Sequence, residues 1–201
     1  MKKLCAFSSH SSAEGRQIII ELIRKKGLEV IEITKKSDLD CLDLQGIDCL
    51  LSDRTNFIFP KAFLDRSSCI KINTHPSLLP FHKGSHPIFW ACLLNHKLGV
   101  SINQIEVGID TGDICYQQEV EYSNKETFRV IHSRCRNAIL CGIENILEKI
   151  VNNENITWVQ QLSHPDKAHK LKEAIYLLEK LPKKWDTSIE EARSILVEYL
   201  I

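Results

Sequence analysis

The stretch Asn73-Thr74-His75-Pro76-Ser77-Leu78-Leu79-Pro80, with Gly108-Ile109-Asp110-Thr111-Gly112-Asp113 downstream, carries more information than the rest of the chain. Asn73 and His75 are two residues apart, so on the extended end of a strand their side chains project to the same face. Pro76 pushes His75 toward β or polyproline II geometry and away from helix. Pro80 stiffens the loop further. The pattern describes a rigid mount for a carboxamide and an imidazole. Asp110 approaches from a separate loop flanked by Gly108 and Gly112.

Outward from that stretch, residues 1–120 alternate between strand and helix patterns. Leu4–Phe7 is a short apolar strand, and a loop from Ser8 to Ser12 can cap the helix after it. Ile18, Ile19, Leu22 and Ile23 form one helical stripe, and Gly27 stops the helix. Leu28–Ile33, Asp48–Ser52 and Cys69–Asn73 are strand candidates, with a short helix after Pro60. Ile88–Leu94 reads as helix, Val100–Ile105 and Ile114–Val120 as strands, and Thr127–Ile150 as a long amphipathic helix. This order predicts an α/β fold: a Rossmann-like, mainly parallel sheet with helices on both faces. In such sheets ligands bind beyond the carboxyl ends of the strands, where Asn73 stands.

Residues 1–161 read as the catalytic domain and 162–201 as a short C-terminal helical appendage. A helix is expected near Ala168–Glu179, ending before Pro182. A second starts at a capping box of Thr187 and Glu190, with an apolar face of Ile189, Ala192, Ile195, Leu196 and Tyr199. The appendage either folds onto the main domain or serves a homodimer.

Composition narrows the function classes. Lys+Arg and Asp+Glu number 26 each, so no global field draws the chain to nucleic acid or an anionic membrane. The apolar run after the basic N-terminus is too short for a signal-peptide core, and none approaches membrane-spanning length. The eight cysteines form no Cys-x-x-Cys pair, which favours buried reduced thiols in a cytoplasmic protein over a disulfide framework or zinc site.

Three readings of Asn73, His75 and Asp110 compete. They can satisfy backbone groups in a proline-bounded turn. His75 can join His82 and His86 in a metal site, although the spacing is loose and no acidic residue lies nearby. Or they catalyse acyl transfer without a covalent nucleophile, since no Ser or Cys sits in a nucleophile elbow. That chemistry needs donors aimed at a developing oxyanion, which Asn73 and His75 supply. It also needs an acceptor for the nucleophile's proton, which Asp110 supplies directly or through a water.

The runs INTHPSLLPFHKGSHPIFWA (72–91) and GVSINQIEVGIDTGDICYQQEV (99–120) resemble the formyltransferases that use 10-formyltetrahydrofolate. These include the glycinamide ribonucleotide, methionyl-tRNA and sugar N-formyltransferases, and the sugar enzymes are the nearest in pattern. The likeness is dense over about residues 50–120 and thinner before. It implies catalytic roles for Asn73, His75 and Asp110. It further implies a folate site from Phe57, Ile58 and Phe59 on one wall and Glu106, Val107, Gly108 and Ile109 on the other. Acceptor contacts would come from Ser8 and His10 and from Lys83, Gly84, Ser85, His86 and Trp90. No metal is implied. The chain departs from the family pattern at Asn103, where a histidine is usual, and at Ser8–Ser12, which lacks the glycines of the purine enzyme's phosphate loop.

The resemblance therefore implies an enzyme of small-molecule substrates. It would move a formyl group from 10-formyltetrahydrofolate, as co-substrate, to the amine of a nucleotide-linked amino-deoxy sugar. Glycinamide ribonucleotide formylation and a catalytically silent folate binder are the alternatives. Methionyl-tRNA formylation fits less well, because 162–201 is too short and helical for a tRNA-binding barrel.

Overall fold

The computed structural model describes residues 2–66, 68–162 and 168–199. The chain divides into two compact units. The first comprises Met1–His75, Ile102–Tyr116 and Leu140–Gln161; the second comprises Pro76–Ser101, Gln117–Ile139 and Leu162–Ile201.

The first unit is built on the sheet. Strands β1 (Leu4–Ser9), β2 (Glu29–Ile33), β3 (Cys49–Asp53) and β4 (Ile70–His75) pair in parallel. Strands β5 (Gly99–Gln104) and β6 (Ile114–Glu119) extend the order to β2-β1-β3-β4-β5-β6. Gln104 N donates to Asp113 O at 2.7 Å and Val120 N to Leu98 O at 2.9 Å, so β5 and β6 run antiparallel. The sheet is therefore mixed, with the expected parallel block in β2-β1-β3-β4. Strand order reverses around β1, which puts the carboxyl ends of β1 and β3 at the switch point.

Helix α1 (Ala13–Lys25) begins at Ser12, whose hydroxyl accepts from Gly15 N. It ends at Gly27, where Leu28 N bonds Ile23 O and Gly27 N bonds Arg24 O, the double closure of a Schellman cap. Its buried residues are Ile19, Ile20 and Ile23, while Ile18 is 43% exposed. The predicted stripe was rolled by one position, because the sheet under the helix chooses which of two adjacent isoleucines faces in.

Helix α2 (Asp38–Cys41), which the sequence pattern did not indicate, forms where the Asp38 carboxylate accepts from Thr34 N and Lys35 N. These bonds hold the Asp38 carboxyl below the usual range. Helix α3 (Lys61–Leu64) follows Pro60, as expected. Ala6, Ile33, Leu39, Leu44, Ile47, Leu50, Phe59, Phe63 and Leu64 close one core of this unit. Full burial of each large side chain contributes about 1.5–3 kcal/mol.

The second unit contains α4 (Pro87–Leu93) and the start of α5 (Phe128–Asn152), a helix that continues covalently into the first unit. Phe89 and Phe128, both fully buried, meet at 5.2 Å. Helices α6 (Leu171–Glu179) and α7 (Ile189–Ile195) lie in the C-terminal stretch. Two expectations fail there. Helix α6 starts at Leu171 rather than Ala168, because His169 is paired as extended chain with Gly84. Helix α7 is capped by Ser188, whose hydroxyl accepts from Glu191 N; Thr187 is instead buried and accepts from Lys183 N. The cap slips one residue because Thr187 already serves the turn before it. Ile189, Ala192 and Leu196 are buried as predicted, whereas Ile195 and Tyr199 are 41% and 45% exposed. The remainder of the predicted appendage, 163–167 and 200–201, lies outside the described residues.

None of the eight cysteines is in a disulfide, and burial pushes the thiols of Cys92, Cys115 and Cys135 up to about 12. Among the described residues, no helix is long and apolar enough to cross a membrane.

Candidate active site

Strand β4 delivers Asn73 and His75 to one face and Thr74 to the other, as strand alternation requires. His75 is 4% exposed, at the very end of the strand. Its Nδ1 lies 3.4 Å from Asp110 Oδ2. Asn73 Nδ2 donates to Asp110 Oδ1 at 3.1 Å. The three residues chosen from sequence are thus in direct contact within the first unit, joined through both oxygens of one carboxylate.

Asp110 is presented by a tight loop. It adopts φ +53°, a left-handed conformation that Asp tolerates better than most side chains. The loop presses on β5 at Gly112, where a Cβ would lie 2.2 Å from Gln104 O. Glycine there is therefore a requirement of close approach, and the Gln104–Asp113 backbone bond fixes the loop's exit.

Asn103 belongs to the same network, although sequence reasoning marked it only as a departure. Its Oδ1 lies 3.4 Å from Asn73 Nδ2, and its own Nδ2 donates to Gln104 O at 3.0 Å. A carboxamide in place of an imidazole orients Asn73 but cannot titrate. Asp53 is a second residue that the sequence did not flag. Fully buried, it accepts from Thr74 Oγ1 at 2.7 Å and Ser11 Oγ at 3.2 Å, tying the loop after β1 to β4.

Among the residues expected to hold folate, Ile58, Val107 and Ile109 are exposed by 62%, 66% and 48%. Such apolar exposure beside the trio, in the same unit, suits a flat aromatic ligand. Phe59 differs. It is 6% exposed and stacks on Phe63 at 5.8 Å as a core residue, with Phe57 edge-on at 5.3 Å.

Of the acceptor candidates, Ser8 is a buried residue of β1 rather than a loop residue, and its hydroxyl bonds Thr55 Oγ1. Ser11 N bonds Ser9 Oγ and Gly15 N bonds Ser12 Oγ. His10 is exposed, 3.4 Å from Asn56 Nδ2.

Lys83, Gly84, Ser85, His86 and Trp90 cluster in the second unit. Ser85 Oγ lies 2.7 Å from His86 Nδ1, and the His86 ring stacks on Trp185 at 5.5 Å. The ring nitrogens of His82 go to His96 and His169. Among the described residues, no group of three or more His, Cys, Asp or Glu could hold a metal ion.

The model of the formyl transferase family matches residues 7–142, which span every residue of this trio. The chain belongs to the formyl transferase family. Among curated relatives, the methionyl-tRNA formyltransferase of Rickettsia canadensis is 35% identical over 135 residues, 66% of this chain and 44% of that protein. The enzyme of the same name from Rickettsia bellii is 32% identical over 179 residues. The chain spans about half the length of the curated relatives it matches.

Among solved structures, the formyltransferase PseJ from Anoxybacillus kamchatkensis superposes with a TM-score of 0.80 at 26% identity, covering 95% of this chain and 99% of that one. It was solved with UDP-4,6-dideoxy-4-formamido-L-AltNAc and tetrahydrofolate. An N-formyltransferase from Helicobacter canadensis, with folinic acid and dTDP-3-aminofucose, shares the fold at a TM-score of 0.72 and 20% identity.

Proposed function

We propose that this formyl transferase moves the formyl group of 10-formyltetrahydrofolate to the primary amine of a nucleotide-linked amino-deoxy sugar, with residues 1–161 as its catalytic domain. The observation that carries the reading is the contact of Asn73, His75 and Asp110 through one carboxylate. The neutral amine attacks the formyl carbon, forming the C–N bond while the carbonyl electron pair moves onto oxygen. Asn73 Nδ2 and His75 Nε2 donate to that oxyanion; Asp110 supports charge on His75 through Nδ1. The cationic amine then loses a proton to Asp110, directly or through a water. Collapse of the adduct breaks the bond to the folate nitrogen, which takes up a proton as it leaves. Ile58, Val107 and Ile109, with the 106–109 backbone, would flank the pterin.

Two observations favour an amino sugar as acceptor. The likeness to PseJ runs over 95% of this chain, and that protein was solved with a formamido sugar nucleotide. The loop after β1 has serines in place of glycines and spends the Ser11 N–H on Ser9 Oγ, which leaves the phosphate of glycinamide ribonucleotide poorly served. The Rickettsia relatives favour methionyl-tRNA instead, and the balanced charge of this chain speaks against that acceptor.

The test is to incubate the protein and formyl donor with a panel of dTDP-, UDP- and GDP-amino sugars, glycinamide ribonucleotide and methionyl-tRNA. Mass spectrometry then identifies which acceptor gains one formyl group. Faster turnover of either non-sugar acceptor than of every amino sugar would overturn the assignment.

A further inference from the structure

The loop from His82 to His86 places alternate residues in the left-handed region: His82 at φ +52°, Gly84 at +85° and His86 at +56°. Glycine enters that region freely, whereas histidine stays there only when its surroundings over-determine it. Here the surroundings are residues 168–170 of the C-terminal stretch. His169 N donates to Lys83 O at 2.8 Å, and His169 O accepts from Ser85 N at 2.9 Å, a short parallel bridge at Gly84. A Cβ at Gly84 would sit 2.6 Å from His169 O, so the bridge itself demands glycine.

The ring of His169 closes the arrangement on two sides. Its Nε2 lies 3.2 Å from Nδ1 of the buried His82, whose Nε2 lies 3.0 Å from His96 Nδ1. Its face stacks on Trp90, with centroids 4.5 Å apart and planes at 10°. The Trp90 indole N–H is buried with no acceptor among the described residues, so the stack with His169, not a polar bond, positions that ring. A backbone bridge, an imidazole chain and an aromatic stack thus converge from one residue onto one strained loop.

We propose that His169 is a positioning residue for the amine acceptor: it holds residues 82–86 in the conformation that receives the acceptor. Residues 168–170 then belong to the specificity apparatus. This rests on the reading above that Lys83–His86 meet the acceptor. A loop held in its binding conformation beforehand spares the complex the entropy of ordering it. Neutral imidazoles give each N–H···N bond one proton, so the three rings share a single donor direction. A glutamine at 169 carries both a donor and an acceptor and can meet His82 in either tautomer.

The experiment uses the full chain with His169→Ala and His169→Gln. Kinetics are measured with acceptor and folate donor varied separately, and hydrogen–deuterium exchange is followed over 81–94. For His169→Ala, acceptor KM should rise about tenfold or more, with kcat and donor KM within about twofold of wild type. His169→Gln should recover most of the loss. Amide protection at Ser85 and His86 should fall in the alanine variant while that of α4 holds. An unchanged acceptor KM, or unchanged protection at Ser85, overturns the proposal. So does a joint loss of kcat and thermal stability with a rise in both KM values that glutamine does not reverse. If no amino sugar is formylated by the wild type, the functional reading fails separately. The acceptor found in the panel is then used, and the exchange measurement still decides whether His169 holds the loop.

Discussion

Asn73 Nδ2 donates to Asp110 Oδ1 at 3.1 Å, so the carboxamide proposed to serve the oxyanion already gives one N–H to the carboxylate proposed as base. The other points to Asn103 Oδ1 at the longer distance of 3.4 Å. A formyl oxygen must take over one of these donors, and the longer bond is the weaker competitor. In the proposed mechanism Asn103 would aim the oxyanion donor and yield it when the substrate arrives.

Asn103→Ala removes that aim without touching the reacting atoms. The bond is gone once the formyl oxygen replaces it, so what is lost is preorganisation, at most about the 1 kcal/mol of a neutral hydrogen bond, and kcat should fall by up to about fivefold with folate affinity unchanged. Steady-state kinetics beside a folate titration check this. A kcat equal to wild type would remove Asn103 from the site.

His75→Ala should lower turnover on the order of 10²–10³-fold, about 3–4 kcal/mol of transition-state stabilisation. Folate binding, followed by calorimetry, should barely move, because the imidazole faces the formyl centre. Retention of activity within about a factor of three, far less than one oxyanion donor is worth, would end the assignment.

Asp110→Asn is a clean probe, because Asn also tolerates the +53° backbone and keeps the side-chain size. It removes both the charge facing His75 and the proton acceptor. Turnover should fall at least as far as for His75→Ala. The double variant should be far less than additive, since the two side chains act as one unit. More than about a tenth of wild-type turnover, set against the 10²–10⁴-fold worth of general acid–base catalysis, would pass the role to Asp113 or to water.

Stability in acid should depend on Asp186, which takes two bonds from Arg129 at 2.6 and 2.9 Å. The guanidinium holds its carboxyl below the ordinary value. A depressed carboxyl contributes stability above its unfolded value, about 3.9, and loses it as pH falls through the folded one. Asp186→Asn should therefore melt below wild type near neutral pH, with the gap closing in acid. A gap that persists in acid would show that the pair is not its source.

Much of the site was legible in order, and the reasons are local. Asn73-x-His75-Pro76 forces strand alternation and then an extended exit, so two side chains must share a face. Asp110 between two glycines announces a tight loop. Boundaries failed where a distant segment intervened. His169 was taken from a predicted helix into a bridge with Gly84, and Thr187 was diverted from a cap to the turn before it. Asn103 was visible as an odd residue, but nothing local says that its oxygen meets Asn73, thirty positions away.

The sequence by itself determined the order of the six strands, the parallel block and the choice of Asn73, His75 and Asp110 as the candidate site. Periodicity and proline or glycine placement act within a few residues and need no partner. Only the tertiary structure decided which isoleucines of α1 face the sheet, that Phe59 belongs to the core, and that Asn103 and Asp53 brace β4. Only there, too, does a histidine far down the chain hold the loop at Gly84. Those outcomes are contacts between segments remote in sequence, settled by which packing buries apolar surface while giving each buried polar group a partner.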